Sequence, residues 1–268
     1  MPFSADAYFA RIGWSGSRAP TLDTLAGVLR AHMTRIHWEN LDVLLGRGVK
    51  LDLDSLYEKI VVAGRGGYCF EQSTLLAAAL SHLGFAPVAH AARVISIRPK
   101  TEAPRTHMFL TVPVDGVTYM LDPGYGGYGP LVPMPLVADA VVRDGGDAYR
   151  LTRRDGEWVL EGELEGVWTP FWTSPVTPEH PIDFVLANHY TSTHPQSAFA
   201  TMLLMRALTP DGRRVTVANR DVTIARNGTL EKSQLADRAA LRKLLADHFG
   251  FDLPEAERLR VPAIPDWD

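Results

Sequence analysis

The sequence predicts an α+β fold built from three successive regions. Three observations carry that prediction. Apolar residues recur at helical spacing through the first third of the chain. Short strand-like runs separated by Asp-Gly and Gly-Gly pairs fill the middle. The end combines further strands with one closing helix. The regions are expected at 1–85, 86–200 and 201–268.

The elements follow in order. Leu22, Leu25, Val28, Leu29, Met33 and Ile36 give residues 21–45 a helical pattern. Leu56, Ile60 and Val61 mark a shorter helix over 54–62, and GRGGY at 64–68 breaks it. A new helix opens at Cys69, with Leu76, Leu80 and Leu83 on one side and Gly84 as its C-terminal cap. Runs at 88–98, 107–112, 117–122, 149–152 and 157–161 read as strands of an antiparallel barrel or sandwich. Strands are expected again near 201–208, 213–219 and 221–226. A last helix, over 237–249, carries Leu241, Leu244 and Leu245 inward and ends at Gly250.

Composition narrows the function. Of 268 residues, 46 % are hydrophobic and 22 % charged, with a net charge of -4. That balance gives no strong field of either sign, so nucleic acid and anionic membranes are not expected partners. A single cysteine excludes an intrachain disulfide and a cysteine-based zinc cluster, and suits a reducing compartment. The N-terminal residues lack a basic start followed by an apolar stretch, and runs such as Leu75 to Leu80 fall far short of the ~20 residues of a membrane span. The expected location is cytoplasmic. Composition leaves the oligomeric state open.

The chemistry centres on Cys69. A lone cysteine is ordinarily a small buried apolar residue. This one follows Arg65-Gly66-Gly67 and opens a helix, where unpaired N–H groups and a partial positive charge favour the nucleophilic thiolate. Adjacent glycines suit close approach of an acyl group or an oxyanion. A thiol nucleophile also needs a base and a group that orients it. Residues 107–122 read as a hairpin turning at Asp115-Gly116, which pairs Val114 with Val117. Counting outward sets Phe109 opposite Asp122 and His107 opposite Gly124. His107 and Asp122 then share one face as diagonal neighbours. A one-residue slip would separate them.

These residues bring a known family into view. RGGYCFEQ (65–72) resembles the cysteine signature of arylamine N-acetyltransferases. THMFLTV (106–112) and YMLDPGYGG (119–127) resemble that family's histidine and aspartate segments. HWEN (37–40) and NHYTSTHPQSAF (188–199) resemble its N-terminal and interdomain motifs. The resemblance runs in order over about 30–200 and is only general beyond Phe199. It implies a helical bundle, a β-barrel and an α/β lid around a cysteine-protease-like catalytic core. It makes Cys69 the nucleophile, His107 the base and Asp122 its orienting carboxylate. The implied reaction is ping-pong: Cys69 takes acetyl from acetyl-CoA, CoA leaves, and an arylamine or arylhydrazine nitrogen takes the acetyl group. No metal is expected.

The same resemblance implies binding roles. Val94, Tyr125 and Phe199 match acceptor-pocket positions. Gly124, Gly126 and Gly127 belong to a glycine-rich loop suited to the coenzyme pyrophosphate. Glu39 and Arg65 read as a buried structural pair. His189, His194 and Asp183 lack the further ligands a metal site needs. The sequence departs from the family pattern at Trp38, Ser73, Pro123 and Tyr125, which bears on acceptor preference. Malonyl transfer or amide synthesis on the same scaffold is the near alternative. A papain-like protease or a transglutaminase is the more distant one, and a non-enzymatic binding protein is the third.

Overall fold

The computed structural model describes residues 2–126, 129–226 and 228–267. Its N-terminal part is helical. Ala5–Ile12 is capped by Ser4, whose hydroxyl accepts from the Ala7 N–H, and Leu22–Arg35 is capped by Thr21. Leu25, Val28 and Leu29 of the second helix are fully buried. The helical pattern read over 21–45 does not continue unbroken. The helix stops at Arg35, and Trp38–Glu39 becomes a strand before the single turn Leu41–Leu44. The reason is tertiary: Trp38 and Glu39 pair with Arg206 and Met205, far along the chain. The expected 54–62 helix forms as an α-turn, Leu53–Leu56, running into a π-helical turn, Tyr57–Val62.

Cys69–His82 forms as expected. Its first turn is closed by Glu71, whose Oε2 accepts the Tyr68 N–H at 3.0 Å. Leu75, Leu76, Ala79 and Leu80 bury its inner face, and Gly84 takes the left-handed conformation (φ +87°) just past its end.

The middle of the chain folds into an eight-stranded, barrel-like antiparallel sheet. In spatial order its strands are Met134–Pro135, Val117–Leu121, His107–Val114, Val88–Val94, Val167–Ser174, Glu157–Leu164, Asp147–Arg154 and Val141–Asp144. The 107–122 register is the one counted from the turn: Val114 pairs with Val117 and Leu110 with Leu121. Asp115 and Gly116 both have positive φ (49° and 79°), as a tight two-residue hairpin requires. The run read over 88–98 ends as a strand at Val94. The strand Val167–Ser174, not anticipated, supplies Phe171 and Trp172 to the barrel core.

A second sheet, of five strands, orders Trp38–Glu39, Leu204–Leu208, Arg214–Ala218, Asp221–Arg226 and Thr229–Gln234. Helix Arg238–Leu244 and the π-helical turn Leu245–Phe249 pack on it through Leu241, Leu245 and Phe249. Pro181–Thr193 is a helix that the pattern did not announce. Its Ile182, Val185 and Leu186 face solvent, while Phe184, Asn188 and Thr191 face inward. No helix among the described residues is long and apolar enough to cross a membrane.

Candidate active site

Cys69 is the first residue of its helix and only 3 % exposed. Its Sγ lies 3.7 Å from the Thr106 carbonyl oxygen, and it is near enough to the His107 ring to help raise that group's pKa. His107 begins a barrel strand, and Asp122 directly follows the neighbouring one. His107 Nε2 lies 3.0 Å from Asp122 Oδ1 and 2.9 Å from Oδ2. With Nε2 committed to the carboxylate, Nδ1 remains for the thiol. The three residues picked from sequence therefore meet, although Cys69 and Asp122 come from different layers.

Electrostatics favour a charged imidazole. Burial pushes His107 down, but the Asp122 charge and hydrogen bond, with a smaller contribution from Cys69, reverse that and raise it to about 10. Asp122 is fully buried and its acceptors are well used. Trp172 Nε1 donates to Oδ2 at 2.7 Å, and the Gly124 N–H donates to Oδ1 at 3.3 Å. Trp172 escaped the sequence reading because nothing local links a residue of an unanticipated strand to Asp122.

A cavity of about 550 Å³ opens beside Cys69 and His107. Its wall draws on distant parts of the chain: Trp38, then Val94, Tyr125 and Phe171 of the barrel-like sheet and its loops, then Phe199 and Leu204. Tyr125 stacks on Phe171 with centroids 5.0 Å apart and meets His107 edge-on at 5.6 Å. Ile97, Arg98 and Arg206 also reach the cavity. Among the residues singled out for binding, Val94, Gly124, Tyr125 and Phe199 line it. Gly126 does not; it lies in a minor recess beside Trp38. Gly127 lies outside the described residues.

The glycines allow close packing within the protein. A Cβ on Gly124 would sit 2.4 Å from Cys69 Cα, and one on Gly126 would sit 3.1 Å from the Trp38 ring. Their missing side chains make room for Cys69 and the Trp38 ring. Gly66, read as suited to an acyl group or oxyanion, shows the same: a Cβ there would lie 2.1 Å from the His37 carbonyl oxygen.

Behind the Cys69 helix lies a second buried cluster. Arg65 Nη2 meets Glu39 Oε1 at 2.7 Å and Arg65 Nη1 meets Asp42 Oδ1 at 3.2 Å. Lys59 Nζ reaches Asp42 at 2.8 Å and Glu71 at 2.7 Å. Burial raises Glu71 to about 7, against the pull of Lys59. Only Glu39 and Arg65 of this group were read from sequence. Ser73, one of the departures, ties the Cys69 helix to the His107 strand by donating to the Met108 carbonyl at 3.0 Å.

Known proteins share this arrangement of chain. Residues 21–258 match the sequence family described as N-acetyltransferase. The chain is 37 % identical over 251 residues to the arylamine N-acetyltransferase of Escherichia coli K12, across 93 % of this chain and 89 % of that protein. The solved arylamine N-acetyltransferase of Mycobacterium tuberculosis superposes with a TM-score of 0.89 at 35 % identity, covering 98 % of this chain and 99 % of that one. The Mycobacterium marinum arylamine N-acetyltransferase, solved in complex with CoA, gives a TM-score of 0.89 at 32 % identity over 94 % of both chains.

Proposed function

The chain belongs to the arylamine N-acetyltransferase family, and on that premise we propose that it carries acetyl from acetyl-CoA to an arylamine or arylhydrazine nitrogen through a thioester on Cys69. The observation that carries this reading is the contact series Cys69–His107–Asp122 at one end of a largely apolar cavity. The names of the relatives and the CoA complex of one of them support the substrates.

The geometry suggests the steps. His107 holds the thiol proton as an imidazolium while the Cys69 thiolate attacks the acetyl carbonyl carbon. A tetrahedral adduct forms and the bond to the coenzyme sulfur breaks. His107 returns the proton to the departing thiolate, leaving S-acetyl-Cys69 and a neutral imidazole. That imidazole next accepts a proton from the amine as its nitrogen attacks the thioester. Cys69 leaves as thiolate and the thiolate–imidazolium pair is restored. Asp122 stays ionised throughout and steadies the imidazolium.

Val94, Tyr125, Phe171 and Phe199 suit an aromatic ring, and Arg98 and Arg206 supply positive charge for coenzyme phosphates. The chain is divided, in this reading, into a helical region (1–85) with the nucleophile, a barrel region (86–200) with His107 and Asp122, and a lid (201–268). The cytoplasm is the proposed compartment, in keeping with the lone thiol. Steady-state kinetics with acetyl-CoA and an arylamine test the reaction. Parallel double-reciprocal lines, with CoA released before amine is added, are expected. Intersecting lines and no release without amine would reject the covalent route.

A further inference from the structure

The segment Asp122-Pro123-Gly124 lies just beyond the end of the 117–121 strand, so no strand ladder holds it. Yet both of its ends need accurate placement. Asp122 aligns His107, and Gly124 presses so closely on Cys69 that it has no room for a Cβ. Two indole N–H groups meet this segment from different parts of the fold. Trp172, from the 167–174 strand, donates to Asp122 Oδ2 at 2.7 Å. Trp38, from the five-stranded sheet, donates to the Gly124 carbonyl at 2.9 Å. Both bonds are buried, and both rings are wedged. Trp172 is fully buried and stacks on Phe109 with centroids 4.5 Å apart. Trp38 meets Phe199 at 5.4 Å, and its backbone bridges to Gly67, two residues before the nucleophile.

We propose that Trp172 and Trp38 form an indole clamp on residues 122–124. Both are positioning residues: one sets the plane of the Asp122 carboxylate, the other the separation between this segment and Cys69. The proposal rests on the triad reading above. With Oδ2 held by Trp172 and Oδ1 by the Gly124 N–H, the carboxylate has one orientation that keeps both oxygens within reach of His107 Nε2. Without the Trp172 donor it can swing, and a buried charged oxygen loses a partner. Trp38 acts differently. Its backbone belongs to the nucleophile's side through Gly67 and its indole to the aspartate's side, so one side chain spans the gap between them. A phenyl ring at either position would fill most of the space without making the bond.

The test compares the parent protein with Trp172→Phe and Trp38→Phe, each checked for fold by circular dichroism. Two readouts are taken. One is the downfield proton resonance of the His107 Nε2–H bonded to Asp122, recorded in the resting protein. The other is the single-turnover rate of acetyl transfer from acetyl-CoA to Cys69, with the CoA dissociation constant measured alongside. For Trp172→Phe the resonance should shift or broaden and acetylation should slow by about 10- to 100-fold, with CoA affinity unchanged. For Trp38→Phe the resonance should stay and acetylation should slow by about 10-fold. The double variant should lose less than the product of the two, because both bonds hold the same segment. An unmoved resonance in a folded Trp172→Phe would overturn the clamp. So would a Trp38→Phe that acetylates at the parent rate, which decides the matter if Trp172→Phe does not fold. If the parent itself never takes an acetyl group, the functional reading fails, and the resonance still judges Trp172.

Discussion

Two buried charge clusters lie on either side of Cys69, and they are built on opposite plans. Behind the helix, Glu39, Asp42 and Glu71 are met by Lys59 and Arg65, so carboxylates and cations are interlocked and almost every charged atom faces another. In front, Asp122 has a single ionisable hydrogen-bond partner among the described residues, His107, whose second nitrogen is left to the thiol. The first cluster is closed and contributes position: it fixes the 64–68 segment and the start of the helix. The second is open on one side, and that opening is where a proton can be exchanged with a reacting group. Burial and charge alone do not separate a structural cluster from a chemical one. The unused valence does.

Asp122→Asn should break the open cluster with the largest effect. The amide cannot steady an imidazolium and can hold the wrong tautomer, so turnover is expected to fall by about four orders of magnitude while CoA still binds. Turnover and CoA binding measured on the same folded sample check this; near-parent turnover would remove Asp122 from the reaction. Arg65→Met attacks the closed cluster. It leaves buried Glu39 with only the more distant Lys59 (3.9 Å) as a cationic partner and removes part of the pairing of Asp42, at a cost of about 3–5 kcal/mol in stability. Urea denaturation should show that loss, while turnover per folded molecule stays near the parent's. A stable but inactive Arg65→Met would mean that the closed cluster takes part in the chemistry.

The pH dependence of stability sharpens the contrast, with a smaller effect. Both His107 and Glu71 are raised in the folded protein, to about 10 and about 7. A raised group means that the folded state binds more protons than the unfolded one, so its stabilisation is lost as pH rises through the gap. For Glu71 that window runs from its ordinary 4.5 to about 7, and for His107 from 6.5 to about 10. Glu71→Gln should erase the lower window. Asp122→Asn should shrink or invert the upper one, because burial then pushes His107 down with little to oppose it. Urea midpoints recorded from pH 4 to pH 10 would show the two windows separately, and a flat profile in the parent would contradict both shifts.

The front cluster was largely legible in the sequence and the rear one only in part. The pairing of His107 with Asp122 is set by a two-residue turn, so counting from Asp115-Gly116 was sufficient to place it. Cys69 at a helix start followed from the glycines before it and the leucines after it. What local pattern could not supply is contact made across the fold. Trp172 reaches Asp122 from a distant strand whose Pro170 and mixed polarity hid it. Lys59 lies on a helix of polar and apolar residues where a buried lysine looks like any exposed one. Helix Pro181–Thr193 was missed because its leading aliphatic residues face water and its buried face carries Asn188 and Thr191. The glycines after Asp122 were seen, but a sequence shows only that backbone can come close to something, and the fold adds that one such neighbour of Gly124 is Cys69.

The most direct test of the open cluster is the mass of the intact protein after brief exposure to acetyl-CoA without an acceptor. A single acetyl group should appear, map to the peptide containing Cys69, and disappear when an arylamine is added. Cys69→Ser should gain none. A parent protein that stays unmodified while still acetylating the amine, or an acetyl group that maps elsewhere, would contradict the account.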